Sequence, residues 1–275
     1  MAGKLYVVGT PIGNLSDFSP RGAATLSEVD FIAAEDTRVT VKLLNHLGIS
    51  KPMLSYYEHN KRERGGEIME RILAGENCAL VSDAGMPAIS DPGEELVALA
   101  YELGVSVESV PGPTAMATAL SISGMKSGRF CFEGFLSVNK PSRKAHLKEL
   151  EKEPRTMVFY EAPHKLPATL KDMYASFGDR KIAIARELTK LHEEVIHTTL
   201  SQAASLYDDE KKARGEFVLI IDGYTPEKEE EFTLEQAVEI AREYVEKGNP
   251  TSVAAKLAAG DTGFKKGDIY KLLTK

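Results

Sequence analysis

Short apolar, β-branched runs alternate with longer stretches of helical periodicity through the first 110 residues, and this alternation constrains the fold more than any other feature. The strand-like runs are Leu5–Val8, Val29–Ala33, Cys78–Val81 and Val105–Val110. Between them lie Thr37–Leu47, Glu63–Ala74 and Glu94–Leu103, each with apolar residues at three- and four-residue spacing. Strands that alternate with helices predict a mostly parallel sheet and an α/β class. The second half repeats the theme with Phe130–Phe132, Thr156–Tyr160, Lys181–Ala185, Glu194–Thr199 and Phe217–Asp222. The closer spacing of the later runs predicts antiparallel pairing there, because a parallel crossover needs more chain.

At about 150 residues per domain, 275 residues make roughly two domains. The turn Val110-Pro-Gly-Pro-Thr supplies one boundary, since its Pro and Gly stop one element and seat the next helix. The acidic run Thr225-Pro-Glu-Lys-Glu-Glu-Glu reads as a solvated linker into three helical patterns, Thr233–Glu246 with Thr233 as N-cap, Pro250–Ala259 and Lys265–Leu273. The expected organisation is therefore an N-terminal α/β domain over 1–112, a second α/β domain over 113–224 and a small helical module over 225–275. Cys78 and Cys131 are too few for a disulfide framework and have no His or Cys beside them, so both read as small core residues and no metal is expected. The first strand-like run follows Met-Ala-Gly-Lys directly, so no signal peptide is expected. Its longest uncharged stretch, Ser109–Met125, is too short and too broken to span a bilayer. The expectation is a cytoplasmic protein with no membrane partner.

In an open α/β sheet ligands bind beyond the carboxyl ends of the strands, so the turns carry the chemistry. Val8-Gly-Thr-Pro-Ile-Gly-Asn-Leu is glycine-rich but lacks the spacing of a dinucleotide fingerprint and the Gly-Lys-Ser/Thr ending of a P-loop. Nicotinamide and ATP therefore have no support. Ser82-Asp-Ala-Gly-Met-Pro-Ala-Ile-Ser-Asp-Pro-Gly builds a rigid loop that can offer backbone amides and carbonyls to a ligand, with Met86 and Ile89 lining the pocket and Asp91 available to cap the helix that follows. Val110-Pro-Gly-Pro-Thr-Ala-Met puts small residues at a helix start, where free amides are accessible. Two charged turns, Ala185-Arg-Glu-Leu-Thr-Lys-Leu-His-Glu-Glu and Ala213-Arg-Gly-Glu, complete the set.

Taken together, Gly9-Thr-Pro-Ile-Gly-Asn-Leu-Ser-Asp, Ala34-Glu-Asp-Thr-Arg, Ser82 through Gly93, Val110-Pro-Gly-Pro-Thr-Ala, Phe159-Tyr-Glu-Ala-Pro-His and Arg186-Glu-Leu-Thr-Lys resemble a known family. It is the tetrapyrrole methylase superfamily of S-adenosylmethionine (SAM) dependent methyltransferases, and within it the branch that methylates small-subunit ribosomal RNA. The resemblance implies two α/β domains with SAM in a cleft between them, a homodimer, and SAM binding without the Rossmann glycine loop. Carried over by motif, Pro11 lies at the first loop, and Asp83, Gly85, Met86, Pro87 and Ile89 form the main SAM loop. Thr114 and Ala115 match the helix-start contact, Tyr160 a strand-end wall, and Leu188 and Glu216 the second-domain side. Gly85-Met-Pro stands where the tetrapyrrole-making branch has Gly-Asp-Pro, which leaves the contacts near Met86 open. The implied activity is 2′-O-methylation of a cytidine ribose in 16S rRNA at the decoding centre, with the assembled small subunit as partner; the alternative is a methyltransferase for a tetrapyrrole-type small molecule.

A ribose hydroxyl is a poor nucleophile at neutral pH, so a general base is expected within about 3 Å of it. The candidates are Asp36, His59, Glu187 and Lys190, with Arg38 and Arg186 placed to hold phosphates. Asp36 can equally cap the helix from Thr37, Lys190 can pair with Glu194, and His59 sits in an aromatic-flanked loop where a base could stack. A basic patch over residues 138–148, including Lys140, Arg143 and Lys144, reads as a loop that orders on RNA, as do Lys211-Lys-Ala-Arg214 and the tail beyond Lys247. The net charge of −7 counts against a nucleic-acid partner only if spread evenly. It is not: residues 226–246 carry 8 acids and 2 bases, whereas 247–275 carry 2 acids and 6 bases. The helical tail is then either a capping unit with exposed lysines or a helix-turn-helix-like module that meets an anion.

Overall fold

A computed structural model describes residues 1–226 and 232–274. The centre of the expected acidic linker, Glu227 to Glu231, lies outside the described residues. The chain runs β1 (Lys4–Val8), α1 (Pro20–Glu28), β2 (Phe31–Ala34), α2 (Thr37–Leu47), β3 (Met53–Ser55), α3 (Lys61–Leu73), β4 (Cys78–Val81), α4 (Glu94–Glu102), β5 (Ser106–Val110) and α5 (Ala115–Ile122). It continues through β6 (Phe130–Phe135), α6 (Lys140–Glu149), β7 (Thr156–Glu161), α7 (Leu166–Phe177), β8 (Lys181–Arg186), β9 (Glu194–Thr199), α8 (Leu200–Leu206) and β10 (Phe217–Ile221). Three helices follow, α9 (Leu234–Glu246), α10 (Thr251–Thr262) and α11 (Lys266–Leu273).

The first five strands form one sheet in the order β3-β2-β4-β1-β5, and every pairing is parallel. Central strands β2 and β4 are buried at every position because helices cover both faces, which is why they read as unbroken apolar runs rather than alternating ones. The second sheet has the order β6-β7-β10-β8-β9, with β6 parallel to β7 and the remaining pairs antiparallel. The late strands pair as their spacing predicted. Both sheets lie in one compact unit, Met1–Tyr224, and no described helix is long and apolar enough to cross a membrane. Cys78 and Cys131 are buried, and burial pushes both thiols up to about 12, so they behave as small apolar groups.

Several elements have no counterpart in the periodicity reading, among them β3 and helices α1, α7 and α8. The largest correction concerns the basic stretch read as a loop ordering on RNA, because Lys140–Glu149 is already helical. Asn139 caps it by accepting from Ser142 N at 3.1 Å, Pro141 occupies the first turn, and Leu147 is buried beneath it. Thr225–Lys275 forms a second compact unit. In it Thr233 and Gln236 make a reciprocal capping box at the start of α9, and Ala237, Val238, Ala241, Ala255, Ala258 and Ile269 form a small core. Gly263, at φ +74°, ends α10 in the left-handed conformation and turns the chain into α11.

Candidate functional site

All five strands of the first sheet are parallel, so the turns leaving them gather along one edge. There Gly9 and Gly112 meet backbone to backbone: a Cβ on Gly9 would lie 2.7 Å from Gly112 Cα and 2.6 Å from Met86 Sδ. Only glycine fits that approach. Thr10 and Gly85 exchange backbone hydrogen bonds of 2.8 and 3.1 Å, and Thr10 Oγ1 donates to Ser82 O at 3.1 Å. These contacts pin the loop after β1 to the long loop after β4. Within that loop Gly85 has φ +88° and Ala88, a non-glycine, φ +65°. Strain of this kind persists only where surrounding contacts enforce it. Gly93 precedes α4 without a side-chain cap, so Asp91 does not cap that helix. Asp91 accepts from the Ser82 hydroxyl instead, and burial raises its carboxyl above the usual range.

The second sheet presents a matching edge. Because β10 runs antiparallel to β7 and β8, Phe217 at its start pairs with both Glu161 and Arg186, bringing the turns after β7 and β8 together. Tyr160 stands here between Phe132 and Phe135, with ring centroids 4.8 and 5.5 Å away, and its hydroxyl accepts from Met116 N at 2.9 Å in the first turn of α5. Beyond β8 two non-glycine residues, Glu187 and Thr189, have φ +52° and +65°. Lys190 Nζ donates to Glu187 Oε1 at 3.0 Å and to Glu216 Oε2 at 2.9 Å. The expected pairing of Lys190 with Glu194 is therefore replaced, and Glu194 faces Arg186 at 3.6 Å. The register of β8 on β9 explains the change, since Arg186 and Glu194 are direct cross-strand partners.

Between the two edges lies a cavity of about 550 Å³. Of the residues assigned to cofactor by motif, Asp83, Gly85, Met86, Ile89, Thr114, Ala115, Tyr160, Leu188 and Glu216 line it, whereas Pro11 and Pro87 do not. Ile12, Glu35, Asp91, Phe135, Glu161 and His164 also line it and were missed by sequence reasoning. Glu35 and Glu161 lie within recognised motifs, so the signal was present without a means of choosing between neighbouring residues. The carboxyls of Glu35, Asp83 and Asp91 are held above their usual range first by burial, and neighbouring acids add to it: Asp91, Asp83 and Asp36 for Glu35, Asp36 for Asp83, and Asp83 for Asp91.

The other candidates fall elsewhere. Asp36 caps α2 by accepting from Arg38 N at 2.8 Å, and the Arg38 guanidinium holds its carboxyl at about 2. Arg38 itself is 88% exposed, beside the cavity-lining acids but outside the lining. Glu187 and Lys190 reach the cavity only through Glu216. His59 is exposed, with its ring edge-on to Tyr57 at 6.3 Å, and does not line the cavity. On α6 Lys140 and Lys144 are exposed, but Arg143 is turned inward: its Nε and Nη2 donate to Asp172 Oδ2 on α7 at 2.9 and 2.6 Å.

Residues 4–204 match the model of the family Tetrapyrrole (Corrin/Porphyrin) Methylases. The chain belongs to that family. Among curated proteins it is 47% identical to "Ribosomal RNA small subunit methyltransferase I" of Synechocystis sp., over 98% of this chain and 97% of the relative. It is 48% identical to the protein of the same name in Thermotoga maritima, over 80% of this chain and 99% of the relative. Among solved tetrapyrrole methylase folds, uroporphyrin-III C-methyltransferase from Thermus thermophilus, complexed with S-adenyl homocysteine, superposes with a TM-score of 0.56 at 19% identity, over 80% of this chain and 97% of that one.

Proposed function

We propose that the protein is a SAM-dependent methyltransferase that modifies 16S rRNA in the small ribosomal subunit, transferring a methyl group to the 2′-oxygen of a cytidine ribose at the decoding centre. The observation that carries the reading is the cavity: turns far apart in sequence converge on it, and nearly all the residues that motif assigns to SAM line it. The name shared by relatives that match along nearly their whole length supplies the substrate class.

The residues present fit a compact, cationic, partly aromatic guest. The lining acids Glu35, Asp83 and Asp91 set a negative field suited to sulfonium and ammonium charge, and Phe135 and Tyr160 offer ring surfaces. The small residues Ala84, Gly85 and Ala115 of the lining leave room for close approach to the backbone. SAM would supply an electrophilic methyl already activated by its positive sulfur. The chain's own work is then to orient the two reactants, which can contribute several kcal/mol when the reacting atoms lie about 3–3.5 Å apart. The pinned loops after β1 and β4 are suited to that, because mutual hydrogen bonds fix both before a ligand arrives. Arg38, exposed and already oriented by Asp36, is placed to hold an RNA phosphate.

Mapping ribose methylation across 16S rRNA from a strain lacking the protein tests this reading. Loss of one 2′-O-methylcytidine, restored by the purified protein with SAM and small subunits, is expected. An unchanged map overturns it.

A further inference from the structure

The reaction proposed above needs somewhere for the hydroxyl proton to go, and the ion pairs at the site withdraw several groups that could take it. Asp36 is bound bidentately by Arg38. The carboxylates of Glu187 and Glu216 share the Lys190 ammonium, which these partners keep protonated against the pull of burial. Glu161 faces the cavity, but Oε1 accepts from Ala162 N at 2.8 Å and Oε2 from Thr169 Oγ1 at 2.5 Å. Asp91 is engaged by the Ser82 hydroxyl, and Asp83, whose Oδ1 accepts from Asp36 N at 3.1 Å, is exposed and lies in the field of the Arg38 guanidinium, which favours its ionised form.

Glu35 differs from all of these. It leaves the end of β2 with its own N–H bonded to Val81 O, which fixes the backbone against β4. Its side chain enters the cavity, where Oε2 accepts from Asp83 N at 3.2 Å, and Oε1 has no hydrogen-bond donor among the described residues. No lysine, arginine or histidine of the described residues makes an ion pair with it; the charged groups acting on it are Asp36, Asp83 and Asp91, all acids. One oxygen is thus held in place while the other faces the space where substrate must come. Resting on the reading above, we propose that Glu35 is the general base: it accepts the proton of the ribose 2′-hydroxyl as that oxygen attacks the methyl carbon.

The step balances. The O–H bond breaks with its proton passing to the Glu35 carboxylate, the O–CH₃ bond forms as the C–S bond breaks, and the C–S electron pair remains on sulfur. Glu35 then releases its proton to solvent. Burial, reinforced by the three acids and opposed by the Asp83 hydrogen bond, raises its proton affinity above that of an ordinary carboxylate, which is the direction a base needs.

Glu35→Gln keeps an acceptor oxygen for Asp83 N and removes the base. Transfer to small subunits should fall about 10²–10⁴-fold in kcat, SAM affinity should stay within a factor of about three, and the acidic limb of the kcat–pH profile should disappear. Glu35→Asp should recover part of the rate with that limb restored. In the free protein, ¹³C-carboxyl NMR should show one glutamate titrating above the ordinary range, and that resonance should be absent from Glu35→Gln. His164, the imidazole in the cavity lining, is the control, and His164→Gln should keep the limb. The proposal is overturned if Glu35→Gln retains its rate or its acidic limb, or if weakened SAM binding accounts for the loss. A wild-type product whose modified linkage stays alkali-labile carries its methyl elsewhere than on the 2′-oxygen, and overturns the ribose reading separately.

Discussion

Lys190 shows how one side chain can serve both the fold and the site. Its ammonium joins Glu187, held at φ +52°, to Glu216, which lines the cavity. Its stem packs so closely on the first loop that a Cβ on Gly13 would lie 2.7 Å from Lys190 Cγ. The hydrogen bond from Lys190 holds the Glu187 carboxyl below its ordinary 4.5, while the hydrogen bonds that Lys190 donates to Glu216 and Glu187 overcome burial and hold the lysine above its ordinary 10.5. A depressed acid stabilises the fold above its unfolded value and loses that contribution as pH falls through the folded one. A raised base stabilises below its unfolded value and loses it as pH rises. The pair therefore contributes most between about pH 4.5 and 10.5. Lys190→Ala should cost about 1 kcal/mol at pH 7, since both groups are partly exposed. Urea titrations at pH 7 and pH 3 check this: the gap from wild type should narrow at pH 3, and an equal gap at both would show that packing of the stem, not charge, is what Lys190 contributes.

The element scale shows best what the sequence could reveal. β2 and β4 were readable because both faces of a central parallel strand are covered, and α2 because Asp36, Gly48 and its apolar spacing all agree on its ends. The three residues of β3 are too few for any period, and α6 was obscured by its charge, because only Leu147 of that helix is buried. What holds α6 is a partner distant in sequence. Arg143 donates twice to Asp172 on α7, with the two side chains only 11% and 15% exposed, and no local pattern announces such a pair. The same limit applied at the cavity, where Glu35 and Asp36 are adjacent carboxylates at a strand end. Alternation sends neighbouring side chains opposite ways, and only the assembled sheet decides that Glu35 enters the cavity while Asp36 caps α2. For α6 the consequence is testable. Arg143→Ala should lower stability by about 3 kcal/mol by stranding a half-buried carboxylate, visible as a drop in Tm. Lys144→Glu on the exposed side should leave Tm unchanged and weaken subunit binding in low salt. Equal Tm for the two variants would mean that the Arg143–Asp172 pair does not secure the helix.

On the scale of the whole molecule, the cavity and the lysine-bearing terminal helices belong to different compact units. The cavity lies entirely within Met1–Tyr224. The Thermotoga maritima relative, matched over 221 residues and 99% of its length, has no counterpart for about a fifth of this chain, close to the share that Thr225–Lys275 occupies. A protein of that name thus manages without such a stretch. Within the second unit Lys256, Lys265, Lys266 and Lys271 are exposed, and Lys266 Nζ, at the start of α11, donates to Ser252 Oγ at 2.9 Å near the start of α10. Exposed lysines beside two helix starts suit phosphate binding, and an overall charge of −7 does not oppose it when the opposing acids lie elsewhere in the sequence. Reversing Lys265 and Lys266 to Glu should therefore leave SAM affinity unchanged and weaken small-subunit binding. The slope of log K against log salt should become shallower by roughly 0.7–0.9 for each RNA phosphate that the lysines no longer neutralise. Calorimetry with SAM and binding titrations from about 50 to about 200 mM salt separate the two effects. An unchanged slope would assign these lysines to solvation alone and leave RNA docking to the exposed cations of the first unit, Arg38 among them.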